Sequence, residues 1–162
     1  MMDPRYREVK SSLIPEADLG GGAVARVICG TAGGVVGPVR DIMIDPEYLD
    51  VSVPAGSRLE HPAPGGRTVF AYVIEGSGEF GGEGSGEVGG ENAILFGDGD
   101  QVVVTTSRAS ARFLLVSGRP LGEPLAWRGP IVMNTEEELR LAFQEYREGN
   151  FVKGGSAPRR WA

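Results

Sequence analysis

From residue 23 to residue 118 the chain keeps returning to one pattern: a short run of alternating apolar and polar side chains, closed by glycine, proline or aspartate. In YLDVSV (48–53), Leu49, Val51 and Val53 share one face while Asp50 and Ser52 share the other, the period of two that a half-buried strand imposes. AVARVICG (23–30) alternates in the same way. VRDIMID (39–45), TVFAYVIEG (68–76), NAILF (92–96), QVVVTT (101–106) and RFLLVSG (112–118) read as further strands. TVFAYVIEG is apolar on both faces, so it is expected to be covered on both sides. Short strands at this spacing predict a closed sandwich or barrel. The 26 glycines among 162 residues suit its many turns.

One helix stands outside the pattern. TEEELRLAFQEYREG (135–149) opens on a capping box, Thr135 with Glu138, and its three glutamates suit the positive end of the helix dipole. Leu139, Ala142, Phe143 and Tyr146 fall on one apolar face, and Gly149 is a natural stop. The organisation expected is an extended lead-in over 1–20, a barrel with an extended crossover over 21–134, the helix over 135–148 and a loose tail over 149–162.

Charge and composition narrow the partners. A formal net charge of -6 leaves no basic footprint for phosphates, so nucleic acid is not an expected partner. No apolar run approaches the roughly 20 residues of a membrane span, and MMDPRYREVK has no apolar signal core, so no membrane role is expected. Cys29 is the sole cysteine; it reads as a small buried apolar residue, and a lone thiol suits the cytoplasm.

The stretch GSRLEHPAPGGRTVFAYVIEG (56–76) carries the sole histidine, His61, inside a glycine frame. That frame resembles the first motif of the cupin family: glycine, five residues, His-x-His, a spacer, glutamate, six residues, glycine. Counted from Gly56, the ligand slots fall on Pro62, Pro64 and Val69, none of which binds a metal. His61 lies one residue out of register, and it reads as an exposed loop histidine, with a polar site there as the sharper alternative. Iron of the facial-triad kind needs two histidines and a carboxylate, and catalytic zinc also usually takes two or more His or Cys ligands. No metal ligand and no catalytic residue is therefore assigned to this chain. GDGD (97–100) reads as a polar turn rather than an all-oxygen cation site. The glycine-rich GSGEFGGEGSGEVGG (76–90) lacks a lysine and reads as a long hairpin connection rather than a phosphate cradle.

DPRYREVKSSLIPEA (3–17), the stretch 48–80, GDGDQVVV (97–104) and above all RPLGEP followed by GPIVMNTEEE resemble the second half of pirins, which are two-domain cupins. The resemblance implies a cupin-type double-stranded β-helix, or jelly-roll barrel, of six to eight strands with one C-terminal helix. It places the family's metal, usually iron held by three histidines and a glutamate, in a first domain to which no residue here corresponds, so no cofactor is expected in this chain. The activities it implies are quercetin dioxygenation, for which the chain would serve as part of a larger enzyme, and a transcriptional cofactor role through protein partners.

If Val69 points into the barrel, then Ala71 and Val73 do as well, and they line either a filled core or a narrow apolar pocket for a small molecule. By the same parity Phe70, Tyr72 and Ile74 point outward. With Leu139, Phe143 and Tyr146 of the helix they form a candidate interface. The function expected is an interaction module that pairs with itself or with a separate, metal-bearing cupin half; the alternatives are a small-molecule-binding cupin and part of a dioxygenase.

Overall fold

A computed structural model describes residues 7–82 and 84–152. The chain divides into two compact units, one ending at Pro120 and one starting at Leu121. This boundary lies ahead of the one expected at 134/135, because the segment after Pro120 packs with the helix.

The first unit is built on antiparallel strands. They are β1 (Glu16–Gly20), β2 (Ala23–Cys29), β3 (Thr31–Ala32), β4 (Val35–Val36), β5 (Glu47–Val53) and β6 (Arg58–Pro62), followed by β7 (Thr68–Phe80), β8 (Glu87–Gly89), β9 (Ala93–Leu95), β10 (Gln101–Thr105) and β11 (Ala111–Gly118). Nine of them form one sheet in the order β1-β2-β5-β11-β7-β10-β6, with β8 and β9 also on β7, while β3 and β4 make a small hairpin. The sheet curls into a nearly closed barrel in which β1 approaches β6. The all-β barrel is the one the strand pattern predicts, and it is of the cupin type that the resemblance implies, with more strands than six to eight.

β7 explains much of the shape. Its first half pairs with β11 and β9, and its second half pairs with β10 and β8. Opposite β11 the register slips between Arg112, which faces Glu75, and Phe113, which faces Val73. Ile74 is therefore the extra residue of a bulge, and inward parity passes from Val69, Ala71 and Val73 to Gly78 and Phe80. The bulge also needs Gly76, with φ of 74°, because a Cβ there would stand 1.7 Å from the Ser110 carbonyl oxygen.

Several strand-level expectations change. VRDIMID is not a strand: Asp41 and Asp45 take positive φ (60° and 48°), which breaks an extended run, and a single bridge from Val39 to Cys29 remains. The lead-in over 1–20 contains β1. The connection over 76–90 is largely strand, since β7 runs on to Phe80 and turns into β8. The tail beyond Val152 lies outside the described residues.

The barrel interior is filled. Ala71, Val73, Leu49, Val51, Phe113 and Leu115 are buried, and Phe80 meets Phe113 edge to face with ring centroids 5.0 Å apart. Val69, Ala71 and Val73 thus belong to a packed core, one of the two arrangements open to them from the sequence.

The second unit pairs β12 (Ala126–Arg128) with β13 (Ile131–Met133) and packs both on α1 (Glu136–Glu148). Thr135 and Glu138 complete the capping box, and Gly149 closes the helix in the left-handed region. Leu139 and Ala142 are buried with Ala126 and Ile131, and Phe143 packs against them. Leu139 is thereby spent inside its own unit and offers no free interface; Tyr146 stays exposed and meets the ring of Phe151.

Candidate functional site: a polar barrel mouth

The first unit's inward-facing positions change character at one end of the barrel. Along β5 the inward parity runs Val53, Val51, Leu49 and then Glu47; along β11 it runs Phe113, Leu115 and then Ser117. Along β6 it is Leu59 and His61, and just ahead of Val69 the chain places Arg67. These polar side chains line a cleft of about 520 Å³, within the usual range for small-molecule sites.

His61 is the central group, and its position corrects two expectations. It is not an exposed loop residue: it sits in β6, paired with Val102 of β10, and is only 5% exposed. The ligand register counted from Gly56 is also one residue off. Pro62 and Pro64 are exposed at the rim of the cleft, and the buried positions are His61 and Ala63. The alternation in RLEHPA carries this signal, because Leu59, His61 and Ala63 share a face opposite Arg58, Glu60 and Pro62.

The mouth is wired as a network. His61 Nε2 lies 2.8 Å from Glu47 Oε2. A carboxylate only accepts, so Nε2 is the donor of this bond, and Nδ1 is an acceptor whenever the ring carries that one proton. Glu47 stands opposite Ser117 in the β5–β11 ladder. Ser117 Oγ in turn accepts from Arg67 Nε at 3.2 Å, and Arg67 reaches both the carbonyl and the carboxylate of Asp45. Glu47, Ser117 and Arg67 were not singled out in the sequence, because only the closure of the barrel brings them to His61.

The outer face of the same sheet splits in two. Where β5 meets Arg112 of β11 it is polar, with Arg112 gripping Asp50 through two bonds of 3.0 and 2.9 Å, and this carboxylate holds the guanidinium above its ordinary pKa. Around the first half of β7 it is apolar. Two cross-strand rows lie there, Leu95–Phe70–Val116 and Ala93–Tyr72–Leu114. Phe70 and Tyr72 are each 40% exposed and Leu95 is 74% exposed. β7 is therefore covered on its inner side only, contrary to the two-sided burial expected, and Ile74 sits half-buried at the bulge rather than in this face.

The antiparallel barrel with its polar residues gathered at one mouth is of the cupin type. More narrowly, the chain belongs to the pirin family: residues 48–152 match the Pirin C-terminal cupin domain. It is 40% identical over 151 residues to Pirin-1 of Arabidopsis thaliana, covering 91% of this chain and 52% of that protein. To a pirin-like protein of Caulobacter vibrioides it is 37% identical over 152 residues, covering 93% and 54%. The crystal structure of a quercetin 2,3-dioxygenase from Acinetobacter baumannii superposes with a TM-score of 0.80 at 27% identity, over 91% of this chain and 50% of that one. The chain thus spans about half the length of these relatives.

The iron set implied by the family, three histidines and a glutamate, does not fit this mouth. The whole sequence has one histidine, and Glu47, its carboxylate neighbour, is already bonded to it. Among the described residues no three His, Cys, Asp or Glu side chains gather as a metal-binding group. Among the described residues, also, no helix is long and apolar enough to cross a membrane.

Proposed function

We propose that this pirin C-terminal cupin domain is an interaction module that docks a second cupin barrel through the apolar outer face of β7, β9 and β11. The observation that carries this reading is the pair of rows led by Phe70, Tyr72 and Leu95, open to solvent above a filled core. A contiguous apolar patch on a folded domain marks an interface. The occupant is the metal-bearing half of a pirin-length protein, or a second copy of this chain standing in for it, since the chain accounts for about half of its relatives. The polar Arg112–Asp50 side of the sheet bounds the patch. A sole, buried thiol suits the reducing cytoplasm as the place where such a pair forms.

Light scattering tests this at high protein concentration, with the chain alone and mixed with the remaining half of Pirin-1. A dimer or a mixed complex is expected. A monomer in both samples overturns the reading.

A second reading, part of a quercetin 2,3-dioxygenase, is favoured by the likeness to the Acinetobacter baumannii enzyme. It requires that quercetin turnover appear only when the chain is joined to a metal-bearing half. Turnover by this chain alone, supplied with iron, would contradict it.

A further inference from the structure

The mouth of this barrel holds a built acceptor that none of the described residues uses. No buried side-chain nitrogen or oxygen among the described residues lacks a hydrogen-bond partner. Among the described residues His61 Nδ1 has no hydrogen-bond partner, so although the ring is nearly enclosed, this atom opens onto the cleft that His61 lines. The Glu47 carboxylate fixes the proton on Nε2 and with it the orientation of the ring.

The charges around the cleft select the ligand. Four carboxylates, Asp18, Asp45, Glu47 and Glu60, stand against one guanidinium, Arg67, which disfavours an anion. Each carboxylate is already engaged: Asp18 by the Gly20 amide at 2.8 Å, Asp45 by Arg67, Glu47 by His61 and Glu60 by Arg58 at 2.9 Å. An ammonium ligand would therefore have to share carboxylates that already hold a partner. What remains available are acceptors, His61 Nδ1 and second lone pairs on the carboxylates, with the hydroxyls of Thr31 and Ser117 able to do both. A ligand that donates from several hydroxyls and carries no charge matches this set. The apolar walls, Leu19, Ala32 and the prolines 46, 62 and 64, offer no aromatic face for a flat ring to stack on.

From the open Nδ1 and this charge arrangement we infer that the cleft binds a small, neutral, hydroxyl-rich molecule of monosaccharide or cyclitol type, one hydroxyl donating to His61 Nδ1. The site is separate from the docking face, and it stands or falls independently of the pairing.

A single histidine makes the test direct. With ¹⁵N-histidine labelling, the protein gives one pair of imidazole nitrogen signals. In the free protein Nε2 is expected protonated and Nδ1 bare. Addition of D-glucose, D-xylose or myo-inositol at millimolar concentration is expected to shift the Nδ1 signal saturably for at least one of the three. D-glucuronate and D-glucosamine are expected to bind more weakly than that neutral probe. A proton on Nδ1 in the free protein, no shift with any of the three neutral probes, or tighter binding of either charged sugar overturns the inference. All readings come from the unmodified chain, so none depends on a variant folding.

Discussion

His61 Nε2 and Glu47 Oε2 lie 2.8 Å apart, yet their strands, β6 and β5, are not neighbours in the sheet. β11, β7 and β10 intervene between them. The bond therefore crosses the mouth of the barrel, and it forms only when the sheet has curled far enough to bring its edge strand back to β5. Both side chains are largely buried, His61 at 6% and Glu47 at 15% exposed, so each depends on the other for its hydrogen bonding.

Removing the acceptor tests that dependence. Glu47→Ala leaves a buried imidazole N–H without a partner, which costs about 1–3 kcal/mol. Glu47→Gln keeps a carbonyl oxygen to accept the bond and is expected to lose less than the alanine variant. Urea denaturation measures both, with the slope unchanged if the native state keeps its surface. Equal losses for the two variants would show that the hydrogen bond contributes nothing.

How far the sequence leads depends on whether the relevant interaction is local. The strands β5 and β11 and the cap at Thr135 are legible because alternation and capping are set within a few residues. The family frame from Gly56 to Gly76 is legible too, and it identifies the barrel. Counting outward from Gly56 misplaces the ligand slots, since pairing with β10, not distance from a glycine, fixes which side chains of β6 turn inward. The bulge at Ile74 leaves no signal in an apolar run, and the break in VRDIMID comes from two aspartates in the left-handed region rather than from its hydrophobicity. Glu47 and His61 are separated by loops and by half the sheet, so no local pattern links them.

The two glycines that end the family frame differ in what they tolerate. Both have positive φ, 70° at Gly56 and 74° at Gly76. A Cβ at Gly56 meets nothing nearer than 3.9 Å, so Gly56→Ala carries backbone strain alone, about 1–2 kcal/mol. At Gly76 the Cβ would collide with the Ser110 carbonyl, and overpacking adds about 1–3 kcal/mol. Thermal denaturation is expected to rank Gly76→Ala well below Gly56→Ala. The reverse order would mean that the bulge relaxes without cost.

Leu95 offers the cleanest probe of the proposed docking face, because its side chain contributes little to its own domain. At 74% exposed, Leu95→Lys should change stability by no more than about 0.5 kcal/mol. It also sets a charge in the row with Phe70 and Val116, where an apolar partner would lose contact and have to desolvate an ammonium. The expected result is an unchanged melting temperature with a lower mass in light scattering. A variant that associates as the parent does would exclude this face.

Cys29 gives a prediction with a defined pH window. Its side chain is buried in β2, and burial pushes the thiol above its ordinary pKa of 9.0, outweighing the Gly30 backbone hydrogen bond that favours the thiolate. Up to about pH 8 the thiol is largely neutral in both the folded and the unfolded chain and leaves stability nearly unaffected by pH. Above that the unfolded chain ionises first, so stability falls as pH rises from the ordinary value toward the raised one. Two measurements follow from the same cause: alkylation by iodoacetamide at pH 8 should be slow in the native protein and fast in urea, and the urea midpoint should decline above pH 9 in the parent but less steeply in Cys29→Ala. Rapid native alkylation at pH 8 would show an accessible thiolate and contradict the buried, protonated state.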